Sequence, residues 1–270
     1  MSRIQRILEK AEGDGSVRRL WDTADGATAP SFPSEPLRGS GAGKPRGDVG
    51  ASLKSSRSLS GGELHPLLVA ALAPQSATAE QYRALWTRIP HNQDGSAVRV
   101  VLVTSPGRGE GKSLTAAALG LTLANENQRR ICLVDADLRT PRLQRLFGVP
   151  DGPGLSDVIV GDSSLDDVMV PFKDGRLTIV TAGHAPVHPA KLPETSTMRS
   201  ALDPLRARFD HVVMDAPSAV PPADVGILAP LVDGVLLVVR AGMTSKLAIH
   251  DAIGAIDRSK LLGIVLNDAV

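Results

Sequence analysis

Hydrophobic positions in this chain fall into three regimes. Over 2–12 the apolar residues Ile4, Ile7, Leu8 and Ala11 recur at helical spacing; Ser2 and Gln5 form a capping box, and Gly13 ends the run. Such a short helix is marginal alone and predicts a docking surface elsewhere. Over 23–62 the periodicity vanishes. Of these 40 residues, 20 are Gly, Pro or Ser, the composition of a disordered tether. Order resumes near Leu64. A helix is expected over 77–89, with Thr78 and Gln81 as a capping box, Tyr82, Leu85, Trp86 and Ile89 as its apolar stripe, and Pro90 as its stop. The organisation read from this is an N-terminal helical segment over 1–22, a linker over 23–62 and a folded domain over 63–270.

From Val98 onward, strand and helix patterns alternate. Strands are expected over 98–104, 130–135, 177–181, 211–215, 234–240 and 262–266. Helices are expected over 112–125, 198–208, 224–231 and 245–256. Alternation of this length predicts an α/β domain with a doubly wound, mostly parallel sheet. Composition agrees. Hydrophobic residues make up 42% of the chain but aromatics only 3%, so the core is aliphatic, as in strands covered on both faces. The net charge of +1 argues against a nucleic-acid binder that works by bulk charge. The single cysteine, Cys132, lies inside an apolar strand and reads as core, which excludes a disulfide framework and fits a cytoplasmic protein. No apolar run is long enough to span a membrane, and the first residues lack the apolar core of a secretory signal.

The chemistry concentrates in three places. Between the first strand of the domain and its helix runs Gly107-Arg108-Gly109-Glu110-Gly111-Lys112-Ser113. Glycines there let successive N–H groups curl toward phosphate oxygens, and the helix that follows adds its N-terminal partial charge. Lys112 is placed to neutralise phosphates and act in transfer, and Ser113 to ligate Mg²⁺. Candidate nucleotide contacts are Gly107, Gly109, Gly111, Lys112, Ser113 and Leu114. Pro106 stands where the strict pattern has glycine. The second place is the end of the 130–135 strand, where Asp135 and Asp137 lie as the chain leaves the sheet. These are candidates for holding Mg²⁺ or taking a proton from an attacking hydroxyl. The third is Asp215, ending an apolar strand, the expected metal-side partner of a phosphate loop.

The three motifs in this order, with Asp135-Ala136-Asp137-Leu138-Arg139 in the middle and Asp215-Ala216-Pro217 last, resemble the bacterial tyrosine kinases of the P-loop NTPase superfamily, which accompany capsule and exopolysaccharide export. The likeness continues through 140–148, 154–158, 232–242 and 261–268. It implies an ATP- and Mg²⁺-dependent protein-tyrosine kinase. Lys112, Asp135 and Asp137 would be catalytic, Asp135 as base or metal contact. Ser113, Asp135 and Asp215 would lie at the metal, Arg139 would belong to the second motif, and Asn267 would contact adenine. It also implies a membrane-bound polysaccharide co-polymerase or chain-length determinant as partner, a place at the inner face of the plasma membrane through that partner, and a homo-oligomer. Gly107 replaces the signature lysine of partition and septum-positioning ATPases, which sets the chain apart from that branch. Two departures from the kinases stand out. The 270 residues hold one tyrosine, Tyr82, at a packing position of a helical stripe, and no tyrosine-rich tail. The Glu-x-x-Arg-x-x-Arg sequence used in ring assembly is here Glu80-Gln81-Tyr82-Arg83-Ala84-Leu85-Trp86, with Trp86 for the last arginine. A kinase-inactive, ATP-binding regulatory subunit is the competing expectation. His184 and His188, flanked by prolines, are not expected to bind metal.

Overall fold

The computed structural model describes residues 64–66, 68–69, 76–89, 95, 97–126, 129–172, 175–184, 195–221 and 223–267. The helix expected over 2–12 and the linker over 23–62 lie outside the described residues.

The strands are β1 (Val100–Thr104), β2 (Ile131–Asp135), β3 (Met169–Phe172), β4 (Leu177–Val180), β5 (His211–Asp215), β6 (Gly234–Arg240) and β7 (Leu261–Asn267). They form one sheet in the order β3-β4-β2-β5-β1-β6-β7, parallel except for β3, which runs antiparallel to β4. The helices are α1 (Ala77–Thr87), α2 (Lys112–Glu126), α3 (Leu143–Phe147), α4 (Leu155–Val160), α5 (Leu165–Val168), α6 (Thr195–Arg208), α7 (Ala223–Leu228) and α8 (Lys246–Gly254). After β1 the chain moves outward to β2, on to the edge strand β3, and back inward to β4, which lies between β3 and β2. It then returns to β5, beside β1, and continues on the other side through β6 and β7. Strand order therefore reverses at β1, the point where open α/β sheets bind ligands beyond the strand C-termini.

Successive strand residues face opposite sides, and both sides are apolar. Val100 and Leu102, Cys132 and Val134, Val212 and Met214 point to one layer, covered by α6, α7 and α8. Val101 and Val103, Ile131 and Leu133, and Val213 point to the other, covered by α1 and α2. This explains the near-continuous aliphatic runs: every position of β1, β2 and β5 is buried. The doubly wound sheet expected from the sequence is the fold observed.

Local differences have local causes. The α1 cap is Ser76, whose Oγ accepts the Ala79 N–H at 3.0 Å; Thr78 is already inside the helix and buried. β3 escaped the pattern because it is a four-residue edge strand carrying Pro171, a residue edge strands tolerate. The helices α3, α4 and α5 span one or two turns each, too short for a periodicity to show. The 224–231 segment divides into α7 and a 3₁₀ turn, Ala229–Leu231, at Pro230. Among the described residues no helix is long and apolar enough to cross a membrane.

One tight crossing fixes the exit of β4 against α4. Leu155 and Ser156 donate N–H bonds to Thr181 O and Ala182 O at 2.8 and 2.9 Å, and Asp157 accepts from Gly154 N at 2.7 Å. A Cβ on Gly154 would run into the backbone of Thr181 and Gly183. Gly154→Ala is expected to cost roughly 1–3 kcal/mol by overpacking, read as a lower urea midpoint with an unchanged m-value; an unaltered midpoint would show that the crossing can open freely.

Candidate active site

The phosphate loop follows β1 directly. The Thr104 hydroxyl donates to Pro217 O at 2.6 Å, tying the start of the loop to the segment after β5. The Ser105 hydroxyl donates to Gly107 O at 2.6 Å. Gly109 and Gly111 have φ of 78° and 90°, left-handed values that favour glycine. Helix α2 then starts at Lys112, with Thr115 N bonded to Gly111 O at 2.9 Å. The loop forms with Pro106 at its entrance, buried where the strict pattern has glycine.

Lys112 and Ser113 are both buried. The Lys112 ammonium lies 2.7 Å from Asp137 Oδ2, 3.6 Å from Asp215 Oδ1 and 3.3 Å from Ser113 Oγ. Burial works to lower its pKa, but Asp215 and Asp137, with Asp135 behind them, outweigh that effect and hold it above the ordinary lysine value. Asp137 shows the converse. Burial works to raise it, yet Lys112 and the Thr140 amide and hydroxyl, at 2.9 and 3.0 Å, bring it below the usual carboxylate range.

The other two carboxylates are fully buried and move the opposite way. Asp135 Oδ2 accepts the amides of Arg142 and Leu143, each at 2.9 Å, at the start of α3, and Oδ1 accepts from Asp137 N at 3.2 Å. Burial and then the neighbouring Asp215 push its pKa up, against those amides. Burial also raises Asp215, opposed by Lys112 and the Ser113 hydroxyl. Neither Asp215 oxygen has a hydrogen bond of good geometry.

That orphaned, buried carboxylate beside a serine hydroxyl suits a hard divalent cation. Among the described residues no three His, Cys, Asp or Glu side chains could hold a metal by themselves. Magnesium often keeps waters and takes phosphate oxygens as ligands, so a site with few protein donors fits it. Ser113 and Asp215 would hold it, with Asp135 beside them.

The structure thus brings Lys112, Ser113, Asp135, Asp137 and Asp215 together. Other sequence candidates have different surroundings. Leu114 is half-buried against the α1/α2 layer. The Arg139 guanidinium bonds Asp224 on α7 through Nε at 2.8 Å and Nη2 at 3.3 Å, on the rim of a small depression that Met198, Pro217 and Ile227 also line. Asn267, expected at adenine, is 2% exposed, and its Nδ2 donates to Glu110 O at 2.9 Å. One N–H of its amide is thus bonded beneath the loop, where a Cβ on Gly111 would strike it. Tyr82 is 1% exposed, packed in the α1/α2 layer beside Thr115, with its pKa raised by burial. It is a core residue and cannot present its hydroxyl as a phosphate acceptor. Trp86 packs edge-on against His211, ring centroids 4.6 Å apart. His184 Nδ1 pairs with Asp157 Oδ1 at 2.7 Å; His188 lies outside the described residues.

Two participants escaped the sequence reading. Thr140 holds Asp137 from three residues away, a local contact that a motif search does not weigh. Glu110 is an acidic side chain within an anion-binding loop, an oddity visible in the sequence but not interpretable without the fold.

The raised carboxylates predict a pH dependence of stability. A folded pKa above the unfolded one means a contribution fully present below the unfolded value and lost as pH rises through the folded one. Asp135 and Asp215 should therefore cost stability as pH rises between about 4, the ordinary carboxylate value, and the Asp135 value of about 7. Urea midpoints across that range should fall with pH less steeply in Asp215→Asn than in the parent chain. Equal slopes would contradict the assignment.

No protein-family model matches the chain. Individual relatives do. The chain is 32% identical over 209 residues to tyrosine-protein kinase YwqD of Bacillus subtilis (strain 168), covering 77% of this chain and 88% of that protein. It is 32% identical over 200 residues to succinoglycan biosynthesis transport protein ExoP of Rhizobium meliloti (strain 1021), covering 72% of this chain but 25% of the longer ExoP. Among solved structures, the chimerical protein CapA2B2 superposes with a TM-score of 0.69 at 27% identity, covering 76% of this chain and 92% of that one. Identity at this level across nearly the whole of YwqD, over a phosphate loop ringed by three aspartates, shows that the chain belongs to the bacterial tyrosine-protein kinases of the P-loop NTPase fold.

Proposed function

We propose that the chain transfers the γ-phosphate of Mg-ATP to tyrosine on a partner protein in a polysaccharide export system. The observation that carries this reading is the buried ammonium of Lys112 between Asp137 and Asp215 at the phosphate loop. In this reading the loop amides and Lys112 receive the triphosphate, and α2 adds its N-terminal partial charge. Bound magnesium would supply charge neutralisation on the phosphates. Ser113 and Asp215 would hold it. Asp137 fixes the position of Lys112, while Asp135, made more basic by burial beside Asp215, takes the proton of the attacking phenol. Phosphoryl transfer needs little covalent work from the protein beyond this positioning and electrostatic support.

The burial of Tyr82, the only tyrosine in the 270 residues, supports an acceptor in trans. A membrane-bound co-polymerase or chain-length determinant is the partner that suits a relative such as ExoP, named for succinoglycan biosynthesis transport. The chain would then work at the inner face of the plasma membrane, held there by that partner.

Purified chain, Mg²⁺, labelled ATP and the partner's cytoplasmic segment test the reading. Tyr82→Phe is expected to leave transfer unchanged if it folds. Asp135→Asn should bind ATP normally yet transfer roughly 10²–10⁴-fold more slowly, the range for a lost general base. Lys112→Ala should lose ATP binding. ATP binding with no transfer to tyrosine under any of these conditions would instead mark a regulatory subunit.

A further inference from the structure

Glu110 is the one acidic side chain in the phosphate loop, and it stands two residues before Lys112. A carboxylate exposed to a triphosphate there would repel it. Here the side chain is folded away from solvent, 8% exposed, with Oε1 accepting the Gly107 N–H at 3.1 Å. Its neighbours on the other side come from the turn after β6: the Thr244 hydroxyl and the Arg240 amide lie near enough to oppose the rise in pKa that burial causes, although Oε2 has no well-formed hydrogen bond. Thr244 is itself fixed, since its Oγ1 accepts the Arg240 N–H at 3.0 Å. The main chain of the same residue is held from below, where Asn267 at the end of β7 donates to Glu110 O at 2.9 Å.

One residue therefore meets three parts of the fold. Its carboxyl bonds the loop entry at Gly107 and lies beside the β6–α8 turn, and its carbonyl is anchored to β7. Gly109 and Gly111, on either side, adopt left-handed φ values of 78° and 90° and bring no side-chain packing of their own. Without an internal brace a loop of this composition would sample many backbone shapes, and few would align its amides.

We propose that Glu110 is the positioning residue of the phosphate loop: its carboxyl and carbonyl hold the loop amides in the arrangement that receives the triphosphate. It does this from behind the loop, as a hydrogen-bond acceptor, and touches neither phosphate nor metal. This rests on the nucleotide reading above, and the two are separable because Lys112→Ala tests that reading alone.

The test is the affinity of the full chain for a fluorescent, non-hydrolysable ATP analogue with Mg²⁺, alongside the KM for ATP, kcat and the melting temperature. Glu110→Gln keeps the acceptor oxygen and removes the charge; it should bind within about twofold of the parent chain. Glu110→Ala removes the brace and should weaken binding roughly tenfold, the upper end of the scale for one lost hydrogen bond. Its KM for ATP should rise with kcat at saturation kept. Thr244→Val should weaken binding in the same direction by a smaller factor, and should add nothing in a Glu110→Ala background. Unchanged affinity in Glu110→Ala overturns the proposal, as does a loss in Glu110→Gln equal to that in Glu110→Ala, which would make charge the cause. Should Glu110→Ala fail to fold, the Glu110→Gln and Thr244→Val pair decides: a loss in the glutamine variant, or none in the valine variant, overturns it. In every case Lys112→Ala must abolish binding if the nucleotide reading holds.

Discussion

One ammonium among three buried carboxylates organises this molecule. Asp135, Asp137 and Asp215 are each 1% exposed or less, and Lys112 is the cation between them. Charges taken out of water cost several kcal/mol each unless they are paired and bonded. Here the partners are unequal. Asp137 has Lys112 and Thr140, Asp135 has three amides, and Asp215 has a lysine at 3.6 Å and no bond of good geometry. An arrangement of that kind weakens the native state locally, as perturbed groups at functional sites do.

The parallel sheet makes this clustering possible. β1, β5 and β2 lie side by side at its centre, and Asp135 and Asp215 are paired in register at the C-terminal ends of β2 and β5. Val103, one residue before the end of β1, is in register with Asp215, so the phosphate loop leaves the sheet beside both carboxylates. Aliphatic layers on both faces leave the strand ends as the place where polar groups can gather. The Thr104–Pro217 bond and the Glu110 and Asn267 contacts then fasten the loop to strands on both sides of β1.

Much of this was legible in the sequence because it depends on local order. β5 and β6 have the bounds read from the sequence because the apolar runs inside them, 212–214 and 235–239, are what a doubly covered strand needs, and His211, Asp215, Gly234 and Arg240 mark their ends. Lys112, Ser113 and the three aspartates could be assembled because each ends or follows a strand of a sheet whose edge binds ligands. What was not legible depends on long-range contact. Nothing near Asn267 in the chain reveals that its amide bonds the Glu110 carbonyl, 157 residues away. Arg139 is drawn to Asp224, an ion pair across 85 residues. β3 has no distinctive pattern, being four residues long at an edge. The α1 cap moved to Ser76 because capping depends on where the backbone turns, and Ser76 and Thr78 were both chemically able to serve.

The central claim is that a nucleotide engages the loop and both aspartate-bearing strand ends, those of β2 and β5, at once. Amide hydrogen exchange of the full chain, with and without a Mg-ATP analogue, tests it most directly. Slowed exchange should appear together at 107–113, 135–143 and 215–219, with the N-terminal ends of the strands unaffected. Protection confined to another part of the molecule, or none at saturating nucleotide, would contradict it.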